Sequence, residues 1–169
     1  VLDSHRLIEA FMIAANVAAA ETLDGAGFPC MHRVHEPPPA DKLDALHRFL
    51  ADNDLTLARA QVIRPRHFNR VLEAARARGD EAVIADMVLR TQSQAAYSPN
   101  PLGHYGLALR RYAHFTSPIR RYADLLVHRA LISALGLGTG GLTARGGDFA
   151  DHAKHISATE RRAQAAERD

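Results

Sequence analysis

Residues 117–135 read Ser-Pro-Ile-Arg-Arg-Tyr-Ala-Asp-Leu-Leu-Val-His-Arg-Ala-Leu-Ile-Ser-Ala-Leu. Serine is a favoured helix cap, proline is favoured at the first helical position, and an apolar run with helical spacing follows. The pattern predicts a helix over 118–135, capped by Ser117, with Arg120 and Arg121 in its first turn. Positive charge is misplaced there, because the N-terminal end of the helix dipole is itself positive. One resolution is an anion held among the arginines, since free N–H groups and guanidinium forks together make a phosphate site. The other is that Asp124 neutralises Arg120 at i,i+4 while both arginines stay solvated, although basic-residue-first is the weaker orientation of such a pair. The residues alone leave both readings open.

Elsewhere the periodicity is mainly helical. Ser4 is the expected cap of a first helix reaching about Leu23, with Leu7, Ile8, Phe11, Met12, Ala15 and Ala19 as its apolar stripe. Glu9 and Asn16 are seven residues apart and so share one side of it. Asp24-Gly-Ala-Gly27 ends that helix, and Cys30 to His35 is a short β-compatible run stopped by Pro37-Pro38-Pro39. Further helices are expected at 41–50, 66–78, 80–94 and from about Phe149 to the end. Their inward residues are Leu43, Leu46, Phe49 and Leu50 in the first, and Phe68, Val71, Leu72 and Ala75 in the second. Tyr105 to Leu109 reads as a strand, and the glycine-rich 136–147 as a mobile loop. The fold class is therefore α+β, predominantly helical with a few short strands. The 169 residues are most simply one domain, with no internal repeat and no clear linker.

No apolar run approaches the ~18 residues of a membrane span, and the start carries no signal-peptide pattern. The single cysteine excludes an internal disulfide and fits a reducing, cytoplasmic setting. A formal net charge of +2 does not by itself indicate nucleic acid, but 19 of the 21 basic residues are arginine. Arginine matches phosphate bidentately and stacks on bases. A GC-rich genome would raise arginine and alanine alike. Arg59 to Arg78 holds six arginines and one acid, Glu73, for a local charge of +5. That run is either a solvated helix face or a patch facing nucleic acid.

Other motifs carry less. The glycine-rich loop lacks a Gly-Lys-Ser/Thr ending and is not a nucleotide loop. His32/His35 and His152/His155 have H-x-x-H spacing, but neither pair has cysteines or a nearby helical glutamate, so no metal site is assigned. Cys30 reads as a small buried thiol rather than a nucleophile. The aspartates are scattered, whereas phosphodiester hydrolysis usually needs clustered carboxylates around Mg²⁺.

Five segments, in order, carry a family resemblance. His114-Phe-Thr-Ser-Pro-Ile-Arg-Arg-Tyr122, with Asp124 and His128-Arg129, resembles the signature of the RNB catalytic domain of the ribonuclease II / ribonuclease R exoribonucleases. The signature's wording is closer to the ribonuclease R branch. His5-Arg-Leu-Ile-Glu-Ala-Phe-Met-Ile-Ala-Ala-Asn16 resembles the family helix bearing a glutamate and an asparagine. Arg33-Val-His-Glu-Pro-Pro38 is similar to its RVHE-P segment. Ala96-Tyr-Ser-Pro99 with Gly103-His-Tyr-Gly-Leu-Ala-Leu109 resembles the lead into the signature. Thr159-Glu-Arg-Arg-Ala163 and Glu167-Arg-Asp169 resemble the domain's end.

The resemblance implies that residues 1–169 are the C-terminal part of an RNB domain. The parent enzyme would hydrolyse single-stranded RNA from the 3′ end to nucleoside monophosphates, with Mg²⁺. It implies Arg120 as the catalytic residue, holding phosphate near the scissile bond and stabilising developing charge. Arg121 is the second phosphate candidate, or instead pairs with an acid. Glu9 would contact the 3′-terminal nucleotide. Tyr97, Ser117, His128 and Glu167 would line or border the RNA channel. The metal-binding aspartates belong to the upstream half of the domain, so this chain is expected to bind no metal and to be inactive alone. The upstream half, with cold-shock and S1 domains, and single-stranded RNA are the expected partners, and no membrane is involved. The alternatives are a non-catalytic single-stranded RNA-binding fragment, or a structural half-domain whose uncovered apolar surface drives self-association.

Overall fold

The computed structural model describes residues 2–58, 62–142 and 148–167. Among the described residues, six helices and a two-stranded sheet fall into two compact units. Unit 1 comprises 1–34, 95–104 and 110–169, and unit 2 comprises 35–94 and 105–109.

Unit 1 carries α1 (Asp3–Gly25), β1 (His32–Val34), β2 (Ala96–Ser98), α5 (Tyr122–Leu135) and α6 (Phe149–Ala166). The strands pair antiparallel, with His32 opposite Ser98, Arg33 opposite Tyr97 and Val34 opposite Ala96. The chain before α5 extends this arrangement through a bridge between His32 and Ala113 and a 2.9 Å bond from the Arg33 N–H to the Tyr112 carbonyl. Alanines let the helix backbones approach closely in the core. Ala19, Ala20 and Leu23 of α1 share a buried cluster with Ala123, Leu126, Val127 and Ala130 of α5, and with Phe149 and Ala153 of α6.

Unit 2 is a three-helix unit of α2 (Ala40–Asp52), α3 (Pro65–Arg78) and α4 (Glu81–Thr91). Leu46, Leu50, Phe68, Val71, Ala75, Ile84 and Val88 fill its core. The expected inward faces of α2 and α3 are the observed ones. Gly79 closes α3 at φ +83°, a conformation that suits glycine.

Several expectations are corrected. The segment Tyr105–Leu107 is a short 3₁₀ turn, not a strand. His35 takes its backbone: the Tyr105 N–H donates to the His35 carbonyl at 2.8 Å and the Gly106 N–H to His35 Nδ1 at 2.9 Å. Strand β2 was not foreseen. Helix α4 stops at Thr91, because Gln92 is extended (φ −64°, ψ 149°), short of the expected end at 94. Helix α1 starts at Asp3 with Leu2 as its cap residue, so Ser4 lies inside the helix. Residues 2–12 are exposed throughout, including Leu7 at 56% and Phe11 at 63%. The buried stripe is Asn16, Ala19, Ala20 and Leu23, the part of α1 that meets α5. Of the glycine-rich segment and the closing Glu-Arg-Asp, residues 143–147, Arg168 and Asp169 lie outside the described residues. So does Arg59 of the basic run.

Helix α5 also departs from its expected start. It begins at Tyr122, after Arg121 in an extended conformation (φ −126°, ψ 117°). Residues 117–121 form a separate turn, in which the N–H groups of Arg120 and Arg121 both point to the Ser117 carbonyl at 3.3 and 3.1 Å. Ser117 is thus not the helix cap, and the two arginines precede the helix.

The division of α1 gives a direct test. Leu23→Ala, in the core, is expected to cost about 2–5 kcal/mol. Leu7→Ala should change stability by less than about 0.5 kcal/mol. Urea denaturation of the two variants measures both; equal losses would contradict the exposed placement of the first three turns.

Candidate nucleic-acid interface

The turn before α5 is held from beneath by Asp124, the third residue of that helix. Its side chain is fully buried (0% exposed) and accepts three bonds. Oδ1 takes the Ser117 backbone N–H and Arg121 Nη2, and Oδ2 takes Arg121 Nε, each at 2.8 Å. A buried carboxylate is tolerated when paired and hydrogen-bonded in this way, and the fork of arginine suits it. An acid in the first helical turn also complements the dipole. Asp124 therefore pairs with Arg121 at i,i+3, and not with Arg120 at i,i+4. Ile119 and Arg120 are left at the exposed apex of the turn. Among the described residues the Arg120 side chain forms no hydrogen bond or ion pair.

The stretch before the turn is fixed by α1, α5 and β2. Asn16, buried in α1, accepts the Phe115 N–H at 2.9 Å and donates Nδ2 to the Tyr112 hydroxyl at 3.0 Å. His128 of α5 bonds the Phe115 carbonyl through Nε2 at 2.8 Å, and its ring stacks on Phe115 with centroids 4.3 Å apart. Tyr97, nearly buried in β2, places its hydroxyl 2.9 Å from His114 Nδ1. The Arg33 guanidinium lies 4.6 Å from the Tyr97 ring centre and donates to Glu160 Oε2 at 2.7 Å.

Charge states follow from these surroundings. Burial, then the Arg121 and Arg33 cations, pulls the His114 imidazole down to about 4. Burial pushes the Tyr97 phenol up. At neutral pH a protonated phenol therefore faces a neutral imidazole across this bond. Cys30 is buried and its thiol is pushed up to about 12 by burial first, with Asp24 adding to it, so it is no nucleophile.

The expected site residues thus separate. Arg120, Arg121, Ser117, Tyr97 and His128 converge on the signature stretch: among the described residues Arg120 is free, and the other four are engaged in holding the stretch in place. Glu9 is exposed on α1 two turns from Asn16, and Glu167 is exposed just past α6. Neither touches the turn through a side-chain bond among the described residues. Asn16, Arg33 and Glu160 also hold the site without a role assigned from the sequence, and His114, a histidine of the signature from which a packing or hydrogen-bonding role is expected, bonds Tyr97. A buried-side asparagine in an alanine-rich stripe was the available signal for Asn16. Among the described residues no three His, Cys, Asp or Glu side chains gather to hold a metal ion. No helix among the described residues is long and apolar enough to cross a membrane.

A family model described as the RNB domain matches residues 2–136. The chain belongs to the RNB domain family. This RNB chain is 46% identical over 132 residues to ribonuclease R of Aquifex aeolicus, covering 78% of the chain and 19% of that protein. It is 39% identical over 176 residues to ribonuclease R of Escherichia coli strain K12, covering 99% of the chain and 22% of that protein. It thus spans about a fifth of the length of the curated relatives it matches. Among solved structures it is similar to Mycoplasma genitalium ribonuclease R in complex with ribose-methylated single-stranded RNA. That likeness has a TM-score of 0.82 at 26% identity, covering 99% of this chain and 27% of the other.

The His114 environment sets a pH dependence. The folded state disfavours protonation relative to an ordinary histidine at 6.5, so His114 contributes stability that is full above 6.5 and lost as pH falls toward about 4. Its ring resonances in a ¹H–¹³C titration should move near pH 4, and His114→Gln should flatten the stability slope between pH 6.5 and 4. A ring that titrates near 6.5 would contradict the half-buried, arginine-flanked placement.

Proposed function

We propose that this chain is the C-terminal part of an RNB catalytic domain, in an enzyme that hydrolyses single-stranded RNA from its 3′ end to nucleoside monophosphates. The observation that carries this reading is the pair of adjacent arginines with opposite fates. Arg121 is neutralised by a buried carboxylate, while Arg120 stands exposed on a braced turn and is unpaired among the described residues. A guanidinium so placed is free to take a phosphate and to stabilise charge that builds on it. Similarity to ribonuclease R across nearly the whole chain supports RNA as the source of that phosphate.

Other roles follow within this reading. Glu9 contacts the 3′-terminal nucleotide, and Glu167 borders the RNA channel. Tyr97, Ser117 and His128 shape the channel wall by fixing residues 112–117. Mg²⁺ ligands come from outside this chain, in the upstream half of the domain. That half, with cold-shock and S1 domains, completes the enzyme and covers the apolar start of α1, where Leu7, Ile8, Phe11 and Met12 are exposed. The parent acts in the cytoplasm. The chain alone binds RNA without cutting it.

Fluorescence anisotropy of a labelled single-stranded RNA, over a salt series, tests this. Binding should weaken with salt, and Arg120→Ala should lower affinity and reduce the log–log salt slope by about 1. The RNA should stay full length in the presence of Mg²⁺. Binding unaffected by Arg120→Ala would overturn the phosphate reading, and cleavage lost on adding EDTA would overturn the division of labour.

A further inference from the structure

We infer that Asp124 is a positioning residue for Arg120: by clamping both ends of the 117–121 turn, it makes Arg120, and not Arg121, the guanidinium presented to phosphate. The inference rests on the proposed phosphate role of Arg120 and adds the device that selects it.

The two arginines are neighbours in sequence with the same chemistry, so their different states must come from what surrounds them. Asp124 reaches back seven residues to the Ser117 N–H at the start of the turn and three residues to the Arg121 guanidinium at its end. One carboxylate thereby joins both ends. The turn's own backbone bonds are longer, at 3.3 and 3.1 Å, and both converge on the Ser117 carbonyl. The side-chain bonds, each at 2.8 Å, are the shorter ones and carry charge. With Arg121 drawn inward, the backbone between the clamped ends projects Ile119 and Arg120 outward.

The same pair settles the charge that a ligand meets. The Asp124 carboxylate cancels Arg121, so the turn presents one net positive charge at one fixed place. Without the carboxylate, Arg121 becomes a second free cation and the turn keeps only its longer backbone bonds. A mobile pair of arginines can attract an anion, but it does not place one. The clamp therefore contributes positioning beyond simple attraction, and its loss should act through Arg120.

That requirement is what a double-mutant cycle reads. RNA affinity of the full chain would be measured by anisotropy for wild type, Arg120→Ala, Asp124→Asn and the double variant, with folding checked by circular dichroism. If Arg120→Ala weakens binding about tenfold, as loss of a charged hydrogen bond implies, Asp124→Asn should weaken it by a similar factor. The double variant should be no weaker than Arg120→Ala alone. Wild-type affinity in Asp124→Asn, or losses that multiply in the double variant, would overturn the positioning role while leaving the phosphate role of Arg120 standing. No effect of Arg120→Ala would overturn both. Should Asp124→Asn fail to fold, Arg121→Lys takes its place in the cycle. It keeps a cation for Asp124 but loses the fork, so it should weaken binding in the wild-type background and not in the Arg120→Ala background. Equal losses in both backgrounds would overturn the inference.

Discussion

Asp124 has no access to solvent, and a carboxylate so placed is tolerated only when its oxygens are filled. Arg121 and the Ser117 N–H fill them, and much of the site follows from that. The pairing keeps residues 117–121 out of the helix and shifts the start of α5 to Tyr122. It draws one arginine inward and leaves the other exposed. Asp124 sits on the same helix as Ala123, Leu126 and Val127, whose packing against α1 fixes that helix in the core of unit 1. The site thereby inherits the rigidity of the core beneath it.

Asn16 supplies the second tie. Its amide bonds the Phe115 N–H and the Tyr112 hydroxyl, linking the middle of α1 to the stretch before the turn. His128 and Tyr97 act in the same way on Phe115 and His114. These polar groups are satisfied internally, as buried polar groups must be. In such an arrangement Arg120 is conspicuous because, among the described residues, it is free.

Much of the helical framework was legible in the sequence. Leu46 and Leu50, then Phe68, Val71 and Ala75, recur at helical spacing and are buried as expected. Arg120 and Arg121 were also legible as a misplaced pair of charges. Which one is free was not, because local spacing offers Asp124 either arginine and the buried geometry takes Arg121 at i,i+3. The Ser-Pro pair is a sound local helix-start signal, overridden here by the bond from the Ser117 N–H to Asp124, seven residues on. Tyr105–Leu109 has a strand-like composition, but the backbone bonds to His35 decide its conformation, and those lie 70 residues away in sequence. Three residues of β2 are too few to show alternation. The apolar stripe at the start of α1 marks a face that needs a cover, and periodicity does not say which element supplies it. The RNB resemblance assigned the family correctly, because it rested on ordered segments rather than on local propensity.

In the proposed function, the turn at 117–121 is a formed phosphate site within this chain. A ¹H–¹⁵N correlation titration of the isotope-labelled chain with a short single-stranded RNA tests it most directly. The largest shift changes should fall on the backbone of residues 117–122 and on Arg120 Nε, with Arg121 Nε little moved, and should shrink as salt is raised. Changes that spare this turn while RNA binds elsewhere on the chain, or that fall equally on both arginine side chains, would contradict it.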